Sequence, residues 1–280
     1  MTRSKLPRID AKNVSEEEID AHFHLLPDSY FVTTSNEDIE RHLRMVNRLL
    51  YEINHSSSIG TLKPIIEWSP DIETGISAVT VVTWDRAGLF HKLAGALNIA
   101  GYNILGATAM SRSDNIAIDT FSVAENGPRH TADSERIFEE SLSNTLQTNQ
   151  NLYPKIKGIF CSSNPPTSAG SSQPFADAFH TQVEIYPSLS SKTAIIETQA
   201  PDTPGLLYQI AHELHVHSFD ISTADIATKQ GMAIDTLKFK PAVPHRTLES
   251  EELRELKVQM EILLKEINPF IAQSFKTIPQ

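Results

Sequence analysis

The 280-residue chain is 40% hydrophobic and 21% charged, a composition that suits two globular domains with connecting segments and excludes a disordered chain. Its formal net charge of −11 and pI near 5.4 repel phosphate backbones and anionic lipid heads, and no basic patch offsets them, so neither nucleic acid nor membrane is an expected partner. The single cysteine, Cys161, excludes an intramolecular disulfide, MTRSKLPRIDAKNVSEEEID has no signal-like apolar run, and no stretch approaches the roughly 20 apolar residues of a spanning helix, which makes the cytoplasm the expected compartment.

Ser15 followed by Glu18 has the spacing of a capping box and predicts a helix over 15–26 that stops before Pro27. Ser35 caps a longer helix over 35–54, with Ile39, Leu43, Val46, Leu50 and Ile53 on one face. Between 55 and 75 a Ser-rich turn and two prolines break any regular pattern, so residues 1–75 read as a helical lead-in.

Beyond the lead-in the sequence repeats itself. DRAGLFHKLAGAL at 85–97 matches DTPGLLYQIAHEL at 202–214, Asn103-Ile104 falls on Asp220-Ile221 in the same register, and AIDT at 117–120 returns at 233–236 after the loss of one residue in a turn. Each copy opens with a β-branched strand, 77–84 or 192–199. A turn leads to an amphipathic helix carrying Leu89, Leu93, Ala96, Leu97 and Ala100 in the first copy, where Gly101 is the expected left-handed stop. The second copy places Leu206, Ile210, Ala211 and Leu214 alike. Hairpins follow, 103–110 with 116–123 and 219–227 with 232–239, and then helices over 131–148 and 247–267, the latter with Thr247 as cap.

A last strand is expected at 181–186 for the first copy and at 269–275 for the second. The order is then the ferredoxin-like βαββαβ pattern, so the fold class is α+β with two such domains, 76–187 and 188–280. The Pro/Gly/Ser-rich stretch at 158–178 reads as an exposed excursion of the first domain.

The duplicated Asp-x-x-Gly-Leu turn is the candidate ligand site. Gly88 and Gly205 let helix-terminal amides approach a carboxylate closely, and the helix dipole favours that anion. Asp85 and Asp202 stand ready to accept a bond from a ligand ammonium group, with simple helix capping as their alternative role. The site comprises Asp85, Arg86, Ala87, Gly88, Leu89 and Phe90 with Asn103, Ile104 and Leu105, and in the second copy Asp202, Gly205 and Leu206 with Asp220 and Ile221. Each turn is expected beside the second strand of its own copy. Asn103 suits an amide ligand whereas Asp220 repels a carboxylate, so the first site should bind more tightly. His212, His215 and His217 lack metal-ligand spacing and read as a solvated helix end, and Trp84 and Phe90 as core. No cofactor or metal is expected.

The run TVVTWDRAGLFHKLAGALNIAGYNILGATAMSRSDNIAIDTFSV, then ETQAPDTPGLLYQIAHELHVHSFDISTADIA, with LLPDSYFVTTSNEDIERHLRMV upstream, resembles the C-terminal tandem ACT-domain region of bacterial PII uridylyltransferase/uridylyl-removing enzymes. The resemblance covers roughly residues 25–271. It implies an amino-acid sensor, glutamine being the amino acid in that family, which switches the enzyme between adding UMP to the PII protein and removing it. It implies as partners the PII protein or a catalytic chain, and a second copy in a homodimer. Catalysis in that family needs Gly-Ser followed by Asp-x-Asp, and a His-Asp dipeptide for removal. Here Gly170-Ser171 is followed only by Asp177, no Asp-x-Asp exists, and none of the eleven histidines precedes an Asp, so no activity is expected of this chain alone. Two other classes share the topology: a structural dimerisation module, and an RNA-binding protein, which the single aromatics Phe121 and Phe239 on an acidic chain disfavour.

Overall fold

The computed structural model describes residues 14–55, 63–71, 73–125, 132–148, 152, 154–156, 181–189, 192–203, 205–243 and 245–267. Three helices come first, α1 (Glu16–Leu25), α2 (Asp28–Thr33) and α3 (Asn36–His55). The first copy follows as β1 (Ile65–Pro70), β2 (Ile76–Trp84), α4 (Leu89–Ile99), β3 (Tyr102–Ser111), β4 (Ile116–Glu125) and α5 (Ala132–Thr148). The second runs β5 (Gln182–Pro187), β6 (Ala194–Pro201), α6 (Leu206–Val216), β7 (Phe219–Lys229), β8 (Met232–Pro241) and α7 (Ser250–Ile267). The described strands are ordered β1-β2-β4-β3-β7-β8-β6-β5. By contact the chain forms two units, one of residues up to Arg86 with Ala109–Thr120, the other of Ala87–Thr108 with the chain from Phe121 onward.

In the first unit the predicted caps are present, with one change. Ser15 Oγ accepts the Glu18 N–H at 3.2 Å, but the Glu18 carboxylate turns away from the helix end to Arg112, 2.6 Å from its guanidinium. Arg112 also pairs with Asp114 at 2.9 Å, and its buried side chain fixes the β3–β4 turn against α1, where Ser113 N–H donates to Leu25 O at 2.9 Å. The apolar stripe of α3, with Ile39, Val46 and Leu49, packs with Tyr30 against Ile65, Val82, Met110, Ile116 and Ile118. Leu50 and Ile53 flank this core partly buried.

Two elements of this unit were not expected from the sequence. Helix α2 is a single short piece after Pro27. Strand β1 lies where the prolines suggested irregular chain, and it pairs antiparallel with β2 from Ile65↔Val82 to Pro70↔Ser77. It stands at the end of the strand order, where one side needs no ladder bonds and a proline without an N–H is tolerated. The turn to β2 is held by Asp71, whose carboxylate accepts the Glu73 N–H at 2.9 Å and the Thr74 hydroxyl at 2.8 Å.

In the second unit β8 pairs with both β6 and β7, and β5 pairs antiparallel with β6 from Gln182↔Gln199 to Pro187↔Ala194. The predicted strand at 181–186 therefore exists but serves the second copy, and the outer strand of the first is β1. Both copies keep the ferredoxin-like strand arrangement, yet each receives its outer strand from the chain ahead of it. A short antiparallel hairpin delivers that strand more directly than a crossover from the second helix. The expected strand at 269–275 and the excursion at 158–178 lie outside the described residues. Helix α7 begins at Ser250, later than the cap at Thr247 implied. Neighbouring β3 and β7 join the two copies edge to edge, which removes two exposed strand edges.

Buried histidines brace the first unit. Tyr30 OH lies 2.8 Å from His42 Nδ1 and 3.4 Å from His22 Nε2. Burial, then the Arg112 charge, lowers His22 to about 3, and burial, then Arg41, lowers His42 to about 4. Both rings are neutral when folded and titrate near 6.5 when unfolded, so their contribution is complete above that pH and is lost as pH falls through the window. Melting temperature should drop between about pH 6.5 and pH 4, and His42→Asn, which keeps an acceptor for Tyr30, should make that slope shallower. Thermal melts across this range check it, and an unchanged slope in the variant would contradict the assignment.

Candidate functional site

The two turns are built alike. Asp85 N–H donates to Asn115 O at 2.8 Å and Asp202 N–H donates to Gly231 O at 2.9 Å, so each is tied to the hairpin tip of its own copy. Gly88 (φ 72°) and Gly205 (φ 86°) cap α4 and α6 in the left-handed region, where a side chain is strained and glycine is not. The first copy's residues divide between the units: Asp85 and Arg86 are half-buried in the first, and Ala87 is exposed with Gly88, Leu89 and Phe90 buried in the second. Phe90 packs on Phe121 at 5.4 Å between ring centres, a core contact as expected.

The strand residues correct the sequence expectation. Gly88 N–H donates to Asp220 Oδ1 at 3.2 Å, and Asn103 Nδ2 donates to Asp202 Oδ2 at 3.2 Å. Each turn thus bonds to the second strand of the opposite copy, because the β3–β7 junction sets the strand of one beside the turn of the other. Ile104, Gly205 and Leu206 join Asn103 and Asp202 around one small cleft. Leu105 and Ile221 are half-buried on their strands outside that lining.

Four polar residues of the cleft, Asn98, Thr203, Thr228 and Asp235, are not among those the sequence singles out. Thr228 Oγ1 donates to Asp202 Oδ2 at 3.4 Å. Asp235, the acid of the repeated AIDT, lines the cleft at 1% exposure, with its Oδ1 unpartnered among the described residues. Alternation on β8 gave the signal: Ala233, Asp235, Leu237 and Phe239 share the buried face, so an acid occupies a core position. Burial, reinforced by the Asp202 charge, pushes Asp235 up to about 7, while a hydrogen bond from Thr198 opposes the shift. Burial also raises Asp202, against hydrogen bonds from Asn103 and Thr228.

The histidines are more enclosed than a solvated helix end. His215 stacks on His91 of α4 with ring centres 4.6 Å apart, His212 meets His91 edge-on at 5.6 Å, and His217 pairs with Glu213 at 3.1 Å. Burial, then the charges of His215, His212 and Lys92, lowers His91 to about 3. Among the described residues no His, Cys, Asp and Glu group is placed to hold a metal ion. A Cβ at Gly88 would stand 2.7 Å from both His215 and His91, so Gly88→Val would disrupt this helix contact as well as any ligand. No described helix is long and apolar enough to cross a membrane.

Asp235 has the opposite pH sign to the histidines. Its folded value of about 7 lies above the ordinary 3.8, so the folded state holds the proton more tightly, and stability is full below about pH 4 and falls as pH rises to about 7. Asp235→Asn should remove this decline and melt roughly 5 °C or more above the wild type at pH 8. Equal melting temperatures at pH 8 would show that the buried carboxyl carries no such penalty.

No family model matches the sequence. The chain is 30% identical over 228 residues to the bifunctional uridylyltransferase/uridylyl-removing enzyme of Gluconobacter oxydans, covering 79% of this chain and 22% of the relative. The enzymes of the same name from Rhodospirillum rubrum and Novosphingobium aromaticivorans are 27% and 26% identical over 91% and 83% of this chain, in each case 25% of the relative. The chain therefore spans about a quarter of the length of the curated relatives it matches. Among solved structures, aspartate kinase from Synechocystis aligns with 69% of this chain and 27% of its own at 14% identity and a TM-score of 0.36, and the fold assignment rests on the strand and helix order instead. Over most of its length, this α+β pair of ferredoxin-like copies with its helical lead-in is a relative of one region of the bifunctional uridylyltransferase/uridylyl-removing enzymes.

Proposed function

We propose that the chain is an amino-acid-sensing regulatory pair of ACT-type domains, with its ligand site in the cleft at the second turn and glutamine as the first amino acid to test. The observation that carries this reading is the crossed pairing of turns and strands. At the second turn the partner strand offers Asn103, a neutral amide, beside Gly205 at the start of α6, where helix amides and dipole favour a ligand carboxylate. At the first turn the partner strand offers Asp220, whose carboxylate already accepts the Gly88 N–H that such a ligand would need. The tighter site is therefore proposed at the second turn, where the sequence alone puts it at the first, and one amino acid per chain is the stoichiometry to look for.

The relatives are named for adding and removing uridylyl groups, and this chain lacks the Asp-x-Asp and His-Asp motifs, so its part in such a system is regulation. The PII protein, a catalytic partner chain and a second copy of this chain are the proposed partners, and the cytoplasm the proposed compartment. A structural pairing module is the second reading, favoured by the size of the cleft, which as it stands has room for about one water molecule. Binding then requires Asn103 and Asp202 to part.

Calorimetry of the whole chain against glutamine, glutamate, asparagine and serine separates the two. The amino-acid reading expects one saturable site for at least one of them, and roughly tenfold weaker binding in Asn103→Leu. Absence of binding by all four, with the fold intact, would leave the structural reading.

A further inference from the structure

We propose that Asp235, Asn98 and Asp202 form the acceptor set for a primary ammonium group, so that the second cleft selects ligands carrying a free amine. The inference rests on the amino-acid reading of that cleft and adds how the ligand is distinguished from a plain carboxylic acid or amide.

Three residues that line this cleft each carry a buried polar atom with no partner among the described residues: Asp235 Oδ1, Asn98 Oδ1 and Thr203 Oγ1. Buried oxygens without partners are rare because each forfeits its hydration, so a group of them along one cleft is the mark of a polar ligand. Asn98 is fixed in orientation, since its Nδ2 donates to Tyr102 O at 3.1 Å and its Oδ1 is left as the acceptor. Asp202 has its Oδ2 engaged by Asn103 and Thr228 and is itself half-buried. The set is thus two carboxylates and a carbonyl oxygen. An ammonium group has three N–H donors, no acceptor and a positive charge, and it matches that set in number and sign.

An anion is disfavoured beside Asp202 and Asp235, so the ligand amine is assigned to these acids and its carboxylate to the helix amides that follow Gly205. Burial and the neighbouring acid already hold Asp235 far above an ordinary carboxyl group, and a cation is what would relieve that repulsion.

The test compares glutamine with two probes that keep its side-chain amide and its carboxylate: 5-amino-5-oxopentanoate, which lacks the amine, and N-acetylglutamine, which blocks it. Calorimetry of the whole chain should find glutamine bound and both probes weaker by about 30-fold or more, the range expected for hydrogen bonds to charged groups. Asp235→Asn, with folding checked by circular dichroism, should weaken glutamine by a similar factor. If 5-amino-5-oxopentanoate binds as tightly as glutamine, or folded Asp235→Asn keeps full affinity, the ammonium assignment falls while the amino-acid site stands. If glutamine and the probes all fail to bind the wild-type chain, and other amino acids fail too, the amino-acid reading falls and this assignment with it.

Discussion

The reciprocal hydrogen bonds from Gly88 to Asp220 and from Asn103 to Asp202 depend on a single constraint, the edge-to-edge junction of β3 with β7. That junction satisfies the backbone of two strands that would otherwise be exposed, and it sets α4 beside α6, where Tyr208, His91, His212 and His215 pack together. It also brings to each turn a strand residue of the neighbouring copy, beside the hairpin-tip carbonyl that its own copy presents. Gly95 shows how close the approach is: a Cβ there would stand 2.8 Å from the Tyr208 ring.

Most elements were legible in the sequence because their signals are local. Ser15 and Ser35 cap their helices as the spacing predicts, Gly101 adopts φ 90° just past α4, and both hairpins fall where alternation and turn residues placed them. Duplication adds to those local signals, since the same Asp-x-x-Gly-Leu turn returns in one register with the helix that follows it. Strand partners were not legible. The run TQVEIY predicts a strand but not its neighbour, and the sheet alone reveals that β5 lies beside β6. For the same reason the hydrogen-bond partners of the two turns, Asp220 for Gly88 and Asn103 for Asp202, come from the opposite copy, and Glu18 left its box for Arg112, ninety-odd residues away, which no local rule anticipates.

Polar groups held in their neutral form run through both units. His22, His42 and His91 are buried where charging is unfavourable, and Asp235 is buried where ionisation is. The histidines favour the folded state as pH rises and Asp235 disfavours it, so the two classes act against each other between about pH 4 and pH 6.5. A buried acid at a core position of β8 lowers stability in its ionised form, and an apolar residue would pack there without that penalty. Its position beside Asp202 therefore calls for a role that packing does not supply.

One substitution between the copies makes the two turns unlike. The duplicated strand position holds Asn103 in one copy and Asp220 in the other, and the crossing exchanges their targets. Asp220 brings a carboxylate to the Gly88 amide, satisfying the end of α4 as a ligand anion would and making the first turn self-contained. Asn103 brings an amide to Asp202, a neutral donor on a half-buried acid. A repeated fold thus yields two unlike turns: one whose helix-terminal amide is met by a carboxylate from the opposite copy, and one whose aspartate is met by a neutral amide beside a cleft lined by a second, buried acid.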